Sequence, residues 1–207
     1  MSSGSGTITP IVTSTARATM SSVISLLRGM TNAGSAEYSV SGATYWTDQQ
    51  VQDVLDRHVQ YINYEELAPV EKSGSGGSVT YVEYNSKRRF FESTSSGTSR
   101  FIVQDESGGT IGTASYSVDY PRGVVTFTAD TTGLSRYLTG YSYDMNAAAA
   151  DVWSQKAAHY VTAYDFSTDN HSMSRGQIIK NCLEMAKQYG SGGAVFNVTC
   201  ERTDTEQ

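Results

Sequence analysis

The chain has 207 residues, of which 15 are Lys or Arg and 21 are Asp or Glu, so its formal net charge is −6. A chain of this length suits one domain, or one domain with a sizeable insertion. Binding to DNA phosphates requires clustered cations, and the densest cluster in this acidic chain is Lys87-Arg88-Arg89. The composition therefore argues against a nucleic-acid-binding protein.

No segment of the sequence points to export or to a membrane. The opening residues, MSSGSG, have neither a basic start nor an apolar run, as a signal peptide would. No stretch approaches the roughly 18 consecutive apolar residues of a membrane span. Cys182 and Cys200 are too few for a secreted disulfide framework, and both free thiols and a bridge fit their positions. We therefore expect a protein made in the cytoplasm.

Helical periodicity dominates the first third of the chain. Apolar residues recur at helical spacing over residues 15–30, which predicts a first helix. A second helix is predicted to start after Thr47, because Gln50 stands three residues later and the two side chains suit a capping box. It is predicted to end before Pro69, since the residue that precedes a proline disfavours the helical conformation.

This second predicted helix carries acids, a base and a histidine that could form a catalytic site. Asp53, Asp56 and Arg57 lie off its apolar stripe, and the spacing of Asp53 and Arg57 suits a weak pair along the helix. His58 lies on the stripe, as a packed histidine would. We interpret the segment as a solvated helix face with one packed histidine rather than as a catalytic site.

After Lys72 the segment SGSGGSV predicts a flexible joint. Beyond it the apolar residues recur with a period of two, as in a strand. Apolar and polar residues alternate over 116–120, a Pro-Arg-Gly turn follows, and an apolar run continues over 124–127, which together predict a β hairpin. A further strand is predicted over 136–143.

Helical spacing then returns. Asp144 is placed to cap an alanine-rich helix. After a polar break over 167–173, Ser174 and Gln177 supply a second capping-box spacing for a last helix. A glycine-rich segment covers residues 190–193 and separates the last helix from the tail. The segment AVFNVTCE that follows is typical of a strand without a partner in its own chain.

The elements together predict an α+β fold that is mainly helical. We expect about four helices, an inserted antiparallel β hairpin or small sheet, and an extended C-terminal tail. The helical bundle is assigned to residues 1–72 and 144–190, the β subdomain to 73–143, and the tail to 191–207.

No pattern in the chain is typical of catalysis or of metal binding. The three histidines and two cysteines are scattered, without the spacing of a zinc site. The glycine-rich segments lack the Lys and Ser or Thr of a phosphate-binding loop, and there is no nucleophile elbow. We therefore expect no catalytic residue, no metal and no cofactor, and we do not interpret the chain as an enzyme.

Three stretches of the sequence resemble a known family in their residues and in their order along the chain. They are YWTDQQVQDVLDRHVQYINYEEL, YSVDYPRGVVTF and YDMNAAAADVWSQKAAHYVTAYDFSTDNHSMSRGQIIKNCLEMAKQY, and they span most of residues 45–189. In this order they resemble the head–tail connector (adaptor) proteins of tailed bacteriophages, the ring-forming neck components beneath the portal. The chain departs from the smallest adaptors in its larger β insertion.

The resemblance implies a structural virion protein rather than an enzyme. Such a protein would form a homomeric ring, commonly a homododecamer, at the head–tail interface. The ring would dock on the portal protein and receive the next neck or tail component, a stopper or tail terminator. DNA would pass through its lumen during ejection without specific binding, and no membrane would be involved.

Two sets of residues are candidates for the contacts of such a ring. Aromatic side chains of the helical part are candidate subunit-interface anchors, with filling of the subunit core as the alternative for each of them: Trp46, Trp153, Tyr160 and Tyr164. The tail is a candidate for docking on the portal by strand addition, with disorder as the alternative: Ala194, Val195, Phe196, Asn197, Val198 and Thr199.

Two other functions are weighed against the adaptor. The β insertion is rich in Ser, Thr and Tyr, which suits a secreted or surface-displayed β-rich module that binds glycans or proteins. The absence of an export signal and the two amphipathic helical pairs argue against that alternative. A small hydrolase is supported only by scattered His, Asp and Ser residues.

Overall fold

A computed structural model of the chain describes residues 15–35, 37–40, 43–73, 77–94, 100–161, 166–168, 171–173 and 175–191. A curled six-stranded antiparallel sheet dominates this part of the chain, with helices packed beside it. The prediction of a mainly helical fold with a small β insertion is therefore wrong, because the protein is a sheet-rich α+β fold.

The helices of the described part follow the predicted order. A short 3-10 turn over Ala18–Met20 leads into the first of them, which ends where Asn32 adopts the left-handed conformation. They are α1 (Ser21–Thr31), α2 (Asp48–Arg57), α3 (Met145–Val161) and α4 (Arg175–Ser191).

Two of the predicted helix caps are confirmed. At the start of α2 the backbone N–H of Gln50 donates to the Thr47 hydroxyl (3.3 Å), and the backbone N–H of Thr47 donates to the Gln50 side chain (2.9 Å). At the start of α3 the backbone N–H of Ala147 donates to the Asp144 carboxylate (3.0 Å). Ser174, predicted to cap α4, lies outside the described residues.

The large sheet has the order β5-β8-β3-β4-β7-β6, with every neighbouring pair antiparallel. Two short hairpins, β1 with β2 and β9 with β10, lie outside it. The strands are β1 (Tyr38–Val40), β2 (Ala43–Tyr45), β3 (Val59–Ser73), β4 (Val79–Asn85), β5 (Phe101–Gln104), β6 (Tyr116–Asp119), β7 (Val124–Phe127), β8 (Arg136–Tyr143), β9 (Phe166–Thr168) and β10 (His171–Met173).

The prediction that the second helix continues to Pro69 is wrong beyond Arg57. From Val59 onward the chain is strand β3, whose first part pairs with β8 and whose last part pairs with β4. Pro69 is tolerated in this strand because the pairing with β8 ends at Leu67, so one edge of β3 is open there. The division of the chain into subdomains stays a prediction.

The predicted hairpin and the strand over 136–143 are confirmed as β6 with β7 and as β8. The glycine-rich segment after Lys72, predicted to be a flexible joint, lies partly outside the described residues. It connects β3 to β4 within one hairpin, because Ser73 and Val79 pair directly across it.

The buried apolar side chains form two separate cores. A helical core collects residues of α1, α2 and α3 around Trp46, which is 1% exposed. A second core lies inside the sheet and includes Tyr84 and Leu138. The sheet curls far enough that Phe101 on β5 packs edge-on against Tyr120, which directly follows β6 (ring centroids 5.4 Å apart).

A buried carboxylate joins the two cores. Glu92 lies in the loop between β4 and β5 and is 0% exposed. Its oxygens accept hydrogen bonds from the Thr19 hydroxyl (2.6 Å) and the Tyr143 hydroxyl (2.7 Å), and the Arg17 guanidinium lies 3.2 Å away. Arg17 in turn makes a two-pronged contact with Asp56 of α2 (2.7 and 2.9 Å). The segment before α1, the helix α2 and the end of β8 are thereby tied together.

Replacement of Glu92 by alanine is expected to lower the free energy of unfolding by about 3–5 kcal/mol, because it leaves the buried Thr19 and Tyr143 hydroxyls without an acceptor and removes one of the two carboxylates that Arg17 binds. Urea denaturation measures the effect. Asp53→Ala, which removes an exposed carboxylate bound to Gln49, is the matched control and should change stability by about 0.5 kcal/mol or less. Equal losses in the two variants would contradict the role given to Glu92.

Candidate functional site

The charged residues of α2 all have structural partners. Asp56 binds Arg17, and Arg57 binds Asp151 of α3 (2.9 Å). Asp53 accepts a hydrogen bond from Gln49 (2.7 Å), so the predicted pair of Asp53 with Arg57 is not the contact that either residue makes. The charged side chains of α2 therefore connect this helix to the segment before α1 and to α3.

His58 does not lie inside a helix. It is the residue that ends α2, is half-buried, and places Nε2 3.4 Å from the same Asp151 carboxylate that Arg57 binds. The pKa of Asp151 is lowered: burial opposes the shift, and hydrogen bonding to Gln155 together with the charge of Arg57 outweighs it. The carboxylate is thus held in its charged form between α2 and α3.

The Glu92 network is not arranged for catalysis. The Glu92 oxygens already accept from three side chains and have no exposure to solvent, so no substrate proton can reach them. The hydrogen bond to Asp56 raises the pKa of Arg17, and burial together with the bond to Glu92 raises the pKa of Tyr143. Each shift favours the protonation state that maintains the contacts.

A second buried charge, Lys156 on α3, is also saturated. Its ammonium group donates to the backbone carbonyls of Thr31 and Asn32 (3.0 Å each) and binds Glu37 (2.8 Å). An ammonium group has three N–H donors, and all three have acceptors here. Lys156 therefore closes the C-terminal end of α1.

The predicted interface anchors differ in their exposure. Trp46 is buried in the helical core, so it stabilises the subunit itself. Trp153 is half-buried with the Lys156 ammonium 5.1 Å from its ring centre, and Tyr160 is half-buried with its ring edge-on to His159. The role of Trp153 and Tyr160 as anchors stays a prediction. Tyr164 and the tail residues from Ala194 to Thr199 lie outside the described residues.

The cleft beside the basic cluster is lined by few side chains of the kinds that commonly act in catalysis. The Lys87-Arg88-Arg89 cluster lines a cleft of about 240 Å³ together with the first residues of α3, including Asp144. Its lining contains cations, amides and one carboxylate, but no histidine or cysteine. Among the described residues, no three His, Cys, Asp or Glu side chains come together as metal ligands.

Exposed apolar side chains, by contrast, form two groups. One group lies on the helical pair, where Leu183 of α4 is 52% exposed and Val161 at the end of α3 is also open. The other lies on β3, where Tyr61 is 61% exposed beside Val59 and Tyr64. Val79 and Leu134 are exposed singly, as scattered surface residues commonly are.

Sequence reasoning missed two of these features. Tyr61 was assigned to a helix, although the segment VQYINY contains the β-branched and aromatic residues that favour a strand. Glu92 follows two phenylalanines in the segment FFEST, and a carboxylate beside an apolar pair is the available signal for a buried, paired acid.

Comparison with known proteins adds no relative. No protein-family model matches the chain, and neither a curated protein nor a solved structure matches it. Within the described residues, no helix is both long and apolar enough to cross a bilayer.

The free energy of unfolding is expected to decrease above pH 10 because of the ionisation of Tyr143. Its pKa in the folded chain is raised above the ordinary value of 10.0, so above pH 10 the unfolded chain releases this proton while the folded chain keeps it. The contribution to the free energy of unfolding then decreases by up to about 1.4 kcal/mol per pH unit.

Urea denaturation of Tyr143→Phe at pH 8 to 11 tests this. The variant should be less stable at pH 8, because it lacks the bond to Glu92, and should lose stability less steeply above pH 10. Part of the slope should remain, since burial raises the pKa of Tyr38 to about 12 as well. A slope equal to that of the unmodified chain would contradict the assignment.

Proposed function

We propose that the protein is a structural head–tail connector (adaptor) of a tailed-phage virion. It forms a homomeric ring that docks on the portal protein and links the capsid to the neck or tail, while DNA passes through its lumen. The observation that supports this function most directly is the open apolar side of α4.

Helix α4 is an amphipathic helix that a single subunit leaves largely uncovered. It packs chiefly against α3. Over residues 176–191 Cys182 is the one buried residue, whereas Ile178 and Ile179 are half-buried and Leu183 is exposed. A monomeric protein normally directs such a stripe into its core. Complete burial of one leucine side chain stabilises by about 1.5–3 kcal/mol, so association with another surface is favourable.

The saturated charges support a structural rather than an enzymatic role. Glu92, Lys156 and Asp151 have the burial or the shifted pKa values that mark functional sites in enzymes. Each of them is bound by neighbouring side chains or carbonyls that hold secondary-structure elements together. Their geometry maintains a rigid subunit and supplies no group to a substrate.

The charge distribution suits a ring through which DNA passes. The chain has a net charge of −6, and several of its cations are engaged in ion pairs, among them Arg17, Arg28, Arg57 and Lys72. Because the net charge is negative, DNA contacts in a lumen would be weak and readily broken.

One observation favours the alternative of a β-rich surface module that binds glycans or proteins. The exposed Tyr61 of β3 and the half-buried Tyr141 of β8 beside it could stack on sugar rings, as aromatic residues of binding surfaces do. A specific hit on a glycan array by a chain that stays monomeric beside purified portal would favour this module over the adaptor.

Leu183→Glu is expected to abolish ring assembly while the subunit remains folded, because a carboxylate on the α4 surface opposes burial against a neighbour. Native mass spectrometry and light scattering, with and without the portal protein of the same phage, measure assembly, and thermal unfolding measures the fold. Gln188→Glu introduces the same charge at another exposed position of α4 and should assemble normally. A wild-type chain that stays monomeric and ignores the portal would refute the proposed function.

Deletion of residues 194–207 is expected to leave the fold intact and to weaken docking on the portal, because the deleted segment is the candidate for strand addition. Circular dichroism checks the fold, and co-sedimentation with purified portal rings checks docking. Unchanged portal binding by the shortened chain would remove the tail from the docking contact.

A further inference from the structure

We propose that the ring contact is formed by α4 of one copy packing on the tyrosine face of the next copy. The tyrosine face is the outer surface of β3 and β8 that carries Val59, Tyr61, Tyr64, Tyr137 and Tyr141. This inference rests on the proposed function and names the two surfaces that such a ring would bring together.

The distribution of exposed apolar residues selects these two surfaces. Seven large apolar side chains are exposed among the described residues. Three lie on β3 (Val59, Tyr61 and Tyr64), two lie on the α3–α4 pair, and the remaining two are isolated. A cyclic ring larger than a dimer uses two different surfaces of each subunit at every contact. Two separate apolar surfaces on different elements are what that symmetry requires.

The tyrosine face is held in place before any partner arrives. Tyr61 and Tyr141 stand directly opposite each other across β3 and β8, with ring centres 5.3 Å apart. The Arg100 guanidinium lies 4.9 Å from the centre of the Tyr141 ring. Little side-chain freedom is therefore lost when a neighbour covers these rings.

The lower part of the face is fixed in the same way. Tyr64 and Tyr137 stack with their ring centres 4.1 Å apart and their planes 3° from parallel. The Tyr64 hydroxyl lies within hydrogen-bond distance of the backbone carbonyls of Asp105 and Glu106 (2.9 and 2.8 Å). The best-formed clefts of the described part are lined by other residues, so the face offers a docking surface rather than an enclosed site for a small ligand.

The exposed side of α4 complements this face in chemistry. Leu183 and Ile179, one helical turn apart, present the aliphatic surface that packs on aromatic rings. Lys180 and Lys187, which share the side of α4 that carries Leu183, are exposed, and Glu106, whose carbonyl lies 2.8 Å from the Tyr64 hydroxyl, is exposed at the margin of the tyrosine face. An apolar centre bordered by opposite charges is the composition expected of a specific interface, where Tyr and Arg are enriched.

Cysteine cross-linking of the assembled ring, alone or on the portal, tests the pairing. The background is Cys182→Ala with Cys200→Ser, which removes the native thiols. Tyr61→Cys and Leu183→Cys are combined in one chain and treated with a short bis-maleimide. We expect a covalent ladder of dimers, trimers and higher species, and no ladder from either single variant. The matched control pairs Leu183→Cys with Val79→Cys, which is about equally exposed but lies off the tyrosine face.

Three results would overturn the inference. They are the absence of a ladder in rings that light scattering shows to be assembled, an equal ladder from the Val79 control, and dimers from Leu183→Cys alone, which would mean that α4 packs on α4. In each case the ring itself is intact, so the proposed function survives. A chain that assembles under no condition refutes both.

Discussion

The structure depends on the contact between Glu92 and Arg17. A carboxylate with no exposure to water is strongly unfavourable unless its oxygens are paired, and here the pairing groups come from two distant parts of the chain, the segment before α1 and the end of β8. Arg17 extends the contact to Asp56, so α2 is held by the same residues. The helical core and the sheet core share no large apolar cluster, and this polar junction therefore fixes how they meet.

A fixed junction has consequences for the surface. Helix α3 follows β8 after one intervening residue, Asp144, whose backbone N–H donates to the carbonyl of His58 (3.0 Å). The end of the sheet and the start of α3 are thus one continuous unit, and α4 packs on α3. The tyrosine face and the open side of α4 are consequently surfaces of a rigid subunit, and rigid surfaces lose less entropy when they associate.

The sequence predicted those features that depend on contacts between residues close together in the chain. The caps at Thr47 and Asp144 bind groups three residues away, and both were evident in the sequence. Strand β3 was not evident. The apolar residues from His58 to Ile62 fit both a helical spacing and the alternation of a strand, and the partner strand β8 lies about 80 residues further along the chain. Glu92 was missed for the same reason: its partners Arg17 and Tyr143 stand 75 and 51 residues away.

The hydrogen bonds of the interior and the exposed apolar side chains of the surface both bear on the proposed function. An enzyme keeps polar groups unsatisfied at a cleft, where a substrate completes their hydrogen bonds. Here Glu92 and Lys156 have their hydrogen bonds completed by the protein itself. Large apolar side chains remain exposed on α4 and on β3. Apolar surface is unfavourable in water and can be covered by another protein surface, so these exposed side chains are the observation that supports the proposed assembly.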